Sequence, residues 1–266
     1  MAIITEKKGA VEYLRAENIP AIHCFTTRVG GVSGGDTAGL NIGAHRGDSF
    51  ENVKANYALL GNALGFDPAC LVLAQQIHSD VVRPVTAADA QGLDHLDYPQ
   101  CDALITNQPG VGLTVFTADC TPVLLWDAVT GAVGAVHAGW KGTAADICGK
   151  TVAAMAAHYG CKPEHIRAAI GPNIGQCCFE TDADVPQALL GMYGTAVENT
   201  IIARKGKYYV NLKAVNAYAL RRAGVTDIAI SDHCTACKPS YYWSHRKMGA
   251  SRGSQGGIIL CQEVGL

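Results

Sequence analysis

Three short stretches place metal-competent side chains at the ends of apolar runs. They are Gln75-Gln76-Ile77-His78-Ser79-Asp80, Phe116-Thr117-Ala118-Asp119-Cys120-Thr121-Pro122 and Ala135-Val136-His137-Ala138-Gly139-Trp140-Lys141-Gly142. Rigid strand ends can hold a side chain at a mouth or interface, so each placement suits a site. Imidazole and thiolate are preferred zinc ligands, and three protein donors with one open position define a catalytic centre, where four define a structural one. A set of His78, Cys120 and His137 would lower the pKa of bound water towards neutrality and supply hydroxide as a nucleophile. The same donors accept copper, so ligand type alone does not choose the metal. Their separations match no local ligand signature, and by chemistry alone they read more readily as a small core thiol and two histidines satisfying backbone groups. Another reading drops the metal and makes Cys120 a nucleophile, with His78 or His137 as its base.

Other candidates carry less. Cys234-Thr235-Ala236-Cys237 is a C-x-x-C without a second such pair, and Lys238-Pro239 directly after it argues against a thioredoxin-like strand-to-helix context. It reads as two reduced thiols in a turn, and the adjacent Cys177-Cys178 reads as structural. Gly30-Gly31 and Gly34-Gly35 have neither dinucleotide nor Walker spacing. Arg28, Arg246 and Arg252 are suited to bidentate contact with an anion such as phosphate, although each taken singly reads as a surface residue.

The elements that must position these residues are visible as patterns. Residues 23–27 read as a strand, followed by a long glycine-punctuated loop of the kind that is often functional. Asp48 and Glu51 resemble a capping box opening a helix that turns Val53, Tyr57, Leu60 and Leu64 inward, with Gly65 and Pro68 ending it. Strands are expected at about 70–76, 81–85, 102–106, 112–117, 123–127 and 131–138, the last two joined by a hairpin-length connection through Gly131. A helix at 141–158 with Ile147, Thr151 and Met155 on one face follows. Then come a strand at 166–170, a helix at 182–192, a strand at 207–212, and a helix at 213–223 with Leu212, Val215 and Ala219 inward. Strands at 226–231, 240–244 and 257–262 complete the chain. Strict βαβ alternation is absent, so the expected class is α+β, one domain over 1–266 with mixed, largely antiparallel sheets.

The bulk numbers exclude several function classes. A chain of 266 residues, 48% hydrophobic and 17% charged with net charge −2, is an ordinary globular protein able to bury a large core. No Lys/Arg-rich run appears, so neither nucleic acid nor an anionic membrane surface is an expected partner. No run approaches a membrane span, and the charges at Glu6, Lys7 and Lys8 follow rather than precede a short apolar patch, the reverse of a secretory signal. Eleven cysteines, an odd number, fit reduced thiols better than a disulfide framework, and the cytoplasm is the expected compartment.

Taken in order, these stretches resemble one family across nearly the whole chain. They include Thr26-Thr27-Arg28-Val29-Gly30-Gly31-Val32-Ser33, Leu40-Asn41-Ile42-Gly43-Ala44-His45, Gln75-Gln76-Ile77-His78, Thr117-Ala118-Asp119-Cys120, His137-Ala138-Gly139-Trp140 and Ile170-Gly171-Pro172-Asn173. The family is the laccase-domain family, named variously for multicopper polyphenol oxidases, purine nucleoside phosphorylases and peptidoglycan editing factors. The resemblance implies a catalytic zinc on His78, Cys120 and His137. It also implies phosphorolysis of adenosine, inosine and methylthioadenosine with adenosine deamination, and sheets packed between helices in α/β/β/α layers, distantly like deamidating toxins. The implied partners are a purine nucleoside and phosphate, with the protein a monomer or small homo-oligomer. Arg28, Asn41, His45, Asp119 and Arg246 are the candidate substrate contacts.

The chain departs from the family pattern near its C-terminus. Ser244-His245-Arg246-Lys247 stands for Ser-Tyr-Arg-Arg, and Arg252-Gly253-Ser254-Gln255 resembles Thr-Gly-Arg-Gln with serine where arginine is expected. Arg252 would then have to reach the same place from a shifted position. Two rival activities follow from the same family: copper-dependent phenol oxidation, and Cys120-based hydrolysis of cell-wall precursor amides. Nine histidines with no His-x-His pair argue against a laccase copper cluster. A non-catalytic binding protein with a vestigial site is the remaining alternative.

Overall fold

Strand 121–127 shows how the layers arise. Val123 and Leu125 point to one face, Leu124 and Trp126 to the other, and all four are buried, so the strand must be covered on both sides. A computed structural model describes residues 2–93, 98 and 100–263. Its first half runs β1 (Ile3–Lys8), β2 (Val11–Ala16), β3 (His23–Thr26), α1 (Phe50–Leu64), β4 (Leu71–Leu73), β5 (Val82–Pro84), β6 (Ala103–Thr106), β7 (Gly112–Thr117), β8 (Thr121–Asp127) and β9 (Val133–Ala138). The second half runs α2 (Trp140–Ala144), α3 (Ile147–Tyr159), β10 (Ile166–Ile170), β11 (Glu180–Thr181), α4 (Asp184–Tyr193), β12 (Ile201–Arg204), β13 (Lys207–Val210), α5 (Leu212–Arg222), β14 (Asp227–Ile230), α6 (His245–Met248) and β15 (Gln255–Leu260).

Two six-stranded sheets, ordered β1-β2-β3-β15-β7-β4 and β14-β10-β8-β9-β6-β5, lie face to face. Among the strand pairs of the described residues, β4–β7, β10–β14 and β5–β6 are parallel and the others antiparallel. Leu14, Phe25, Leu113, Val115 and Ile259 from the first sheet meet Leu104, Leu124, Trp126 and Ala135 from the second. The outer face of the first sheet is covered by α1 through Val53, Tyr57 and Leu60. The outer face of the second is covered by the helices between 140 and 222, through Ile147, Val152, Met155, Val215 and Ala219. The result is α+β with mixed, largely antiparallel sheets in α/β/β/α layers, as the sequence leads one to expect. Each large aliphatic side chain buried in such a layer contributes roughly 1.5–3 kcal/mol. Among the described residues no helix is long and apolar enough to cross a membrane.

Several elements differ from the sequence expectation. Helix α1 is capped by Ser49, whose side chain accepts from Asn52 N, rather than by Asp48. Gly65 closes it at φ 82, the left-handed position that glycine occupies without strain. The helix expected over 141–158 breaks in two at Asp146, which sits at φ 60. Residues 240–244 are not a strand. Tyr242 and Trp243 are fully buried plugs, and Ser244 caps the short α6 by accepting from Lys247 N. Strands β1, β2, β11 and β12 were absent from the sequence expectation, and β11, β12 and β13 form a small third sheet.

Candidate metal centre

Strand register brings the donors together. Ala103 on β6 pairs with Val136 on β9, so Asp102, just before β6, stands beside His137. On the other side of β9, Pro122 pairs with His137 and Thr121 with Ala138, which places Cys120, in the tight β7–β8 turn, next to the same imidazole. His78 arrives from the loop after β4, where both amide atoms of Gln76 bond the backbone of Phe116 on β7. The donor atoms of His78, Cys120 and His137 all lie within 4.8 Å of one another.

Asp102 organises this corner. Its carboxylate accepts from the backbone N–H of Ile77, His78 and Ser79 at 3.2, 3.0 and 2.6 Å, from Ser79 Oγ at 2.6 Å, and from His137 Nδ1 at 2.7 Å. Those bonds hold His78 at φ 59, a conformation that costs a non-glycine residue about 1–3 kcal/mol and persists only when its surroundings fix it. The Nδ1 bond also orients the His137 ring and turns Nε2 towards Cys120, the arrangement by which a carboxylate orients a metal-binding histidine.

Burial would push all three central ionisations the wrong way, and local charge reverses each. Burial raises Cys120, but the His137 charge and the hydrogen bonds from His137 and His78 bring the thiol down to about 6. Burial lowers His137, and the Cys120 thiolate together with Asp102 lifts it to about 9. Burial raises Asp102, and the bonds from His137 and Ser79 hold it at about 2. The sulfur is therefore ready as a thiolate near neutrality, the form that binds metal.

The His78–Cys120 spacing fits two ligands of a tetrahedral ion. Nitrogen and sulfur ligands at ~2.1 and ~2.3 Å from a tetrahedral zinc stand about 3.6 Å apart, and Cys120 Sγ lies 3.8 Å from His78 Nε2. The floor between the donors is the bare Cα of Gly139. A Cβ there would lie 2.9 Å from His78 Cδ2, 3.3 Å from Cys120 Sγ and 3.7 Å from His137 Cε1.

The triad opens onto a cleft of about 780 Å³, within the size range of small-molecule sites. His45 and Arg246 line it, as do Arg46, Arg252 and an apolar wall of Phe116, Ile174 and Phe179. Two sequence candidates lie elsewhere. Arg28 is spent on the carbonyls of Ala38 and Pro239 and stacks 4.2 Å over Trp243. Asn41 is wholly buried and braces the glycine-rich loop through Gly43, Asp48 and Ser254. Asp119 borders the cleft, but its carboxylate accepts from Thr235 Oγ1, Ser244 Oγ and Arg246 N at 2.6, 3.1 and 2.7 Å. It ties the C-terminal segment to the Cys120 turn instead of facing the donors. Arg246 bonds the carbonyls of Cys178 and Glu180.

Sequence reasoning placed Asp102 in a family-like stretch, Asp102-Ala103-Leu104-Ile105-Thr106, without giving it a role; it missed Arg46 and left Arg252 as a displaced stand-in. Arg252 is 7% exposed and its Nε has no hydrogen-bond partner. Burial, and then the neighbouring Arg46 charge, lower its pKa to about 10. A buried, unused guanidinium donor with a second arginine nearby is the chemistry that suits an anion.

Residues 22–262 match the family model described as multi-copper polyphenol oxidoreductase laccase. The chain is 37% identical over 246 residues to a purine nucleoside phosphorylase of Deinococcus radiodurans, covering 92% of this chain and 91% of that one. It is 33% identical over 247 residues to adenosine deaminase RL5 of an unknown prokaryotic organism, covering 90% and 93%. The crystal structure of YlmD from Geobacillus stearothermophilus superposes with a TM-score of 0.92 at 32% identity, over 98% of this chain and all of that one.

Proposed function

This chain belongs to the multi-copper polyphenol oxidoreductase laccase family, and we propose that it is a zinc-dependent purine nucleoside enzyme. Its reactions would be phosphorolysis of adenosine, inosine and methylthioadenosine, and deamination of adenosine. The observation that carries this reading is the meeting of His78, Cys120 and His137, backed by Asp102, at the floor of a cleft whose rim holds Arg46 and Arg252. Relatives named purine nucleoside phosphorylase and adenosine deaminase support it.

Zinc held by the three donors would supply Lewis-acid stabilisation of negative charge on the bound substrate. The rest falls to the chain. Phe116, Ile174 and Phe179 offer an apolar wall for a purine, and Arg252 with Arg46 orients phosphate towards the ribose. Both oxygens of Asp119 are engaged, so proton transfer in deamination falls to the imidazoles of His45 and His245, which line the cleft. The test is to incubate zinc-loaded protein with adenosine and phosphate and look for adenine, ribose 1-phosphate and inosine. If none forms, and His78→Ala behaves like the parent, the reading is wrong.

A second reading has one observation in its favour. The Cys120 thiolate beside protonated His137 is also a nucleophile–acid pair, suited to hydrolysing an amide of a cell-wall precursor. Alkylation of Cys120 that abolishes activity in metal-stripped protein, with activity undiminished by the stripping, would favour it. Copper oxidation of phenols is separated from both by the metal content of protein purified without added metal.

A further inference from the structure

A second set of donors converges away from the cleft floor. Cys177, Cys178, Cys234 and Cys237 bring their sulfurs within 4.8 Å of one another. Cys237 Sγ lies 3.5 Å from Cys177 Sγ and 3.4 Å from Cys178 Sγ. We propose that these four cysteines hold a structural zinc ion, separate from the ion at His78, Cys120 and His137.

The sulfur spacing suits one ion, since four thiolates at ~2.3 Å from a tetrahedral zinc stand roughly 3.8 Å apart. The backbone around them is shaped for thiolates. Cys234 Sγ accepts from Gly175 N at 3.1 Å and also from Cys237 N, the N–H donors that favour an ionised sulfur. Gly175 leaves the room, because a Cβ there would sit 3.1 Å from Cys234 Cβ and 3.3 Å from Cys177 Sγ. Cys178 N and Phe179 N both bond Gly175 O, and this turn presents the adjacent Cys177 and Cys178. Thr235 N bonds Asn173 O at 2.9 Å, which docks the C-x-x-C turn on the first loop.

Charge is also provided for. A zinc tetrathiolate carries two negative charges, and the ammonium of Lys213, anchored on the carbonyls of Ser231 and His233, acts electrostatically on Cys234 and Cys177. The Arg246 guanidinium bonds the Cys178 carbonyl. Cys177 and Cys237 are exposed and Cys234 is buried, so an ion has an entry path and a closed inner face. Four protein ligands leave no open position, which makes the site structural. An ion there would clip the 173–179 loop, which brings Ile174 and Phe179 to the cleft, onto the 234–237 turn, whose Thr235 holds Asp119.

The test uses the full chain carrying His78→Ala, Cys120→Ala and His137→Ala, purified under reductant, so that only the second site can bind. One zinc per chain is expected by elemental analysis, and adding Cys177→Ser with Cys237→Ser should remove it. Cobalt(II) titrated into the triple variant should give an intense thiolate-to-cobalt charge-transfer band saturating at one equivalent and displaced by zinc. That spectrum decides the matter on intact ligands should the serine variant fail to fold. A triple variant with no zinc and no such band, zinc retained after the serine changes, iron in its place, or a mass two hydrogens short from a disulfide would each overturn the proposal.

Discussion

Asp102 and His137 are bonded twice across the β6–β9 edge: the His137 backbone N–H donates to the Asp102 carbonyl at 2.7 Å, and His137 Nδ1 to Asp102 Oδ1 at 2.7 Å. The first bond continues the ladder and the second aims the imidazole. One residue thus transmits the rigidity of the sheet to a candidate metal donor, while its remaining carboxylate contacts hold the His78 loop.

Replacing Asp102 by Asn separates these roles. The amide oxygen can still accept from His137, but the amide nitrogen cannot accept from the Ser79 N–H and O–H, and the negative charge is gone. Loss of such a supporting carboxylate costs about 10–100-fold in metal affinity. Competition against a chromophoric chelator measures it, and an unchanged zinc affinity in a folded Asp102→Asn protein would contradict the assigned role.

Gly139→Ala should act on the same quantity by a different route. Gly139 has φ −66, so alanine meets no backbone strain, and the added methyl collides only with His78 and Cys120. The expected result is a zinc affinity at least about tenfold weaker, or about 1.4 kcal/mol, with the melting temperature of the metal-free protein little changed. Equal losses in both would show that the glycine serves folding rather than the donors.

The sequence exposes some of this and hides the rest for physical reasons. Strands β6 to β9 are legible because burial on both faces leaves runs such as Ala103-Leu104-Ile105 and Val123-Leu124-Leu125 nearly free of polar residues. Strand β1 is an edge with Glu6, Lys7 and Lys8, and it carries no such signal. Tyr241-Tyr242-Trp243 imitates a strand by composition, although the rings of Tyr242 and Trp243 fill the core from a turn. The triad is visible through its motifs, whereas Asp102 is one aspartate at a strand start and only the register with β9 reveals its partner. The cysteine cluster escapes for a similar reason: Cys177 and Cys237 stand 60 residues apart, and each half read alone is an ordinary turn.

His23 should make stability fall on acidification. Its Nε2 accepts from Ala16 N at 2.9 Å and its Nδ1 donates to Ala21 O at 2.7 Å, in a site 1% exposed. Protonation would set an N–H against the Ala16 N–H. Burial is the main cause that lowers its pKa, from 6.5 to about 4. The folded value lies below the unfolded one, so the contribution is complete above 6.5 and is lost as pH falls towards about 4. The shift corresponds to something on the order of 3 kcal/mol. Urea melts at about pH 7 and about pH 4.5 should show a drop that is smaller by a comparable amount in His23→Gln. An identical pH dependence in both proteins would exclude His23 as its source.

Arg252 supplies the sharpest separation between the two proposed nucleoside reactions. Phosphorolysis needs a phosphate dianion in the cleft and deamination does not, so a guanidinium that binds phosphate should matter to one far more than to the other. A charged hydrogen bond is worth about 1.5–3 kcal/mol, and Arg252→Lys gives up the planar fork while keeping the charge. The KM for phosphate should rise roughly 10–100-fold, with Arg46→Ala shifting it in the same direction by less, because Arg46 is exposed. Inosine formation from adenosine without phosphate should change far less than phosphorolysis. Arg28→Ala serves as the control, since Arg28 is stacked on Trp243 outside the cleft, and its phosphate KM should stay at the parent value. If Arg28→Ala raises that KM and Arg252→Lys does not, phosphate binds on the glycine-rich loop and the anion site assigned to Arg46 and Arg252 is wrong.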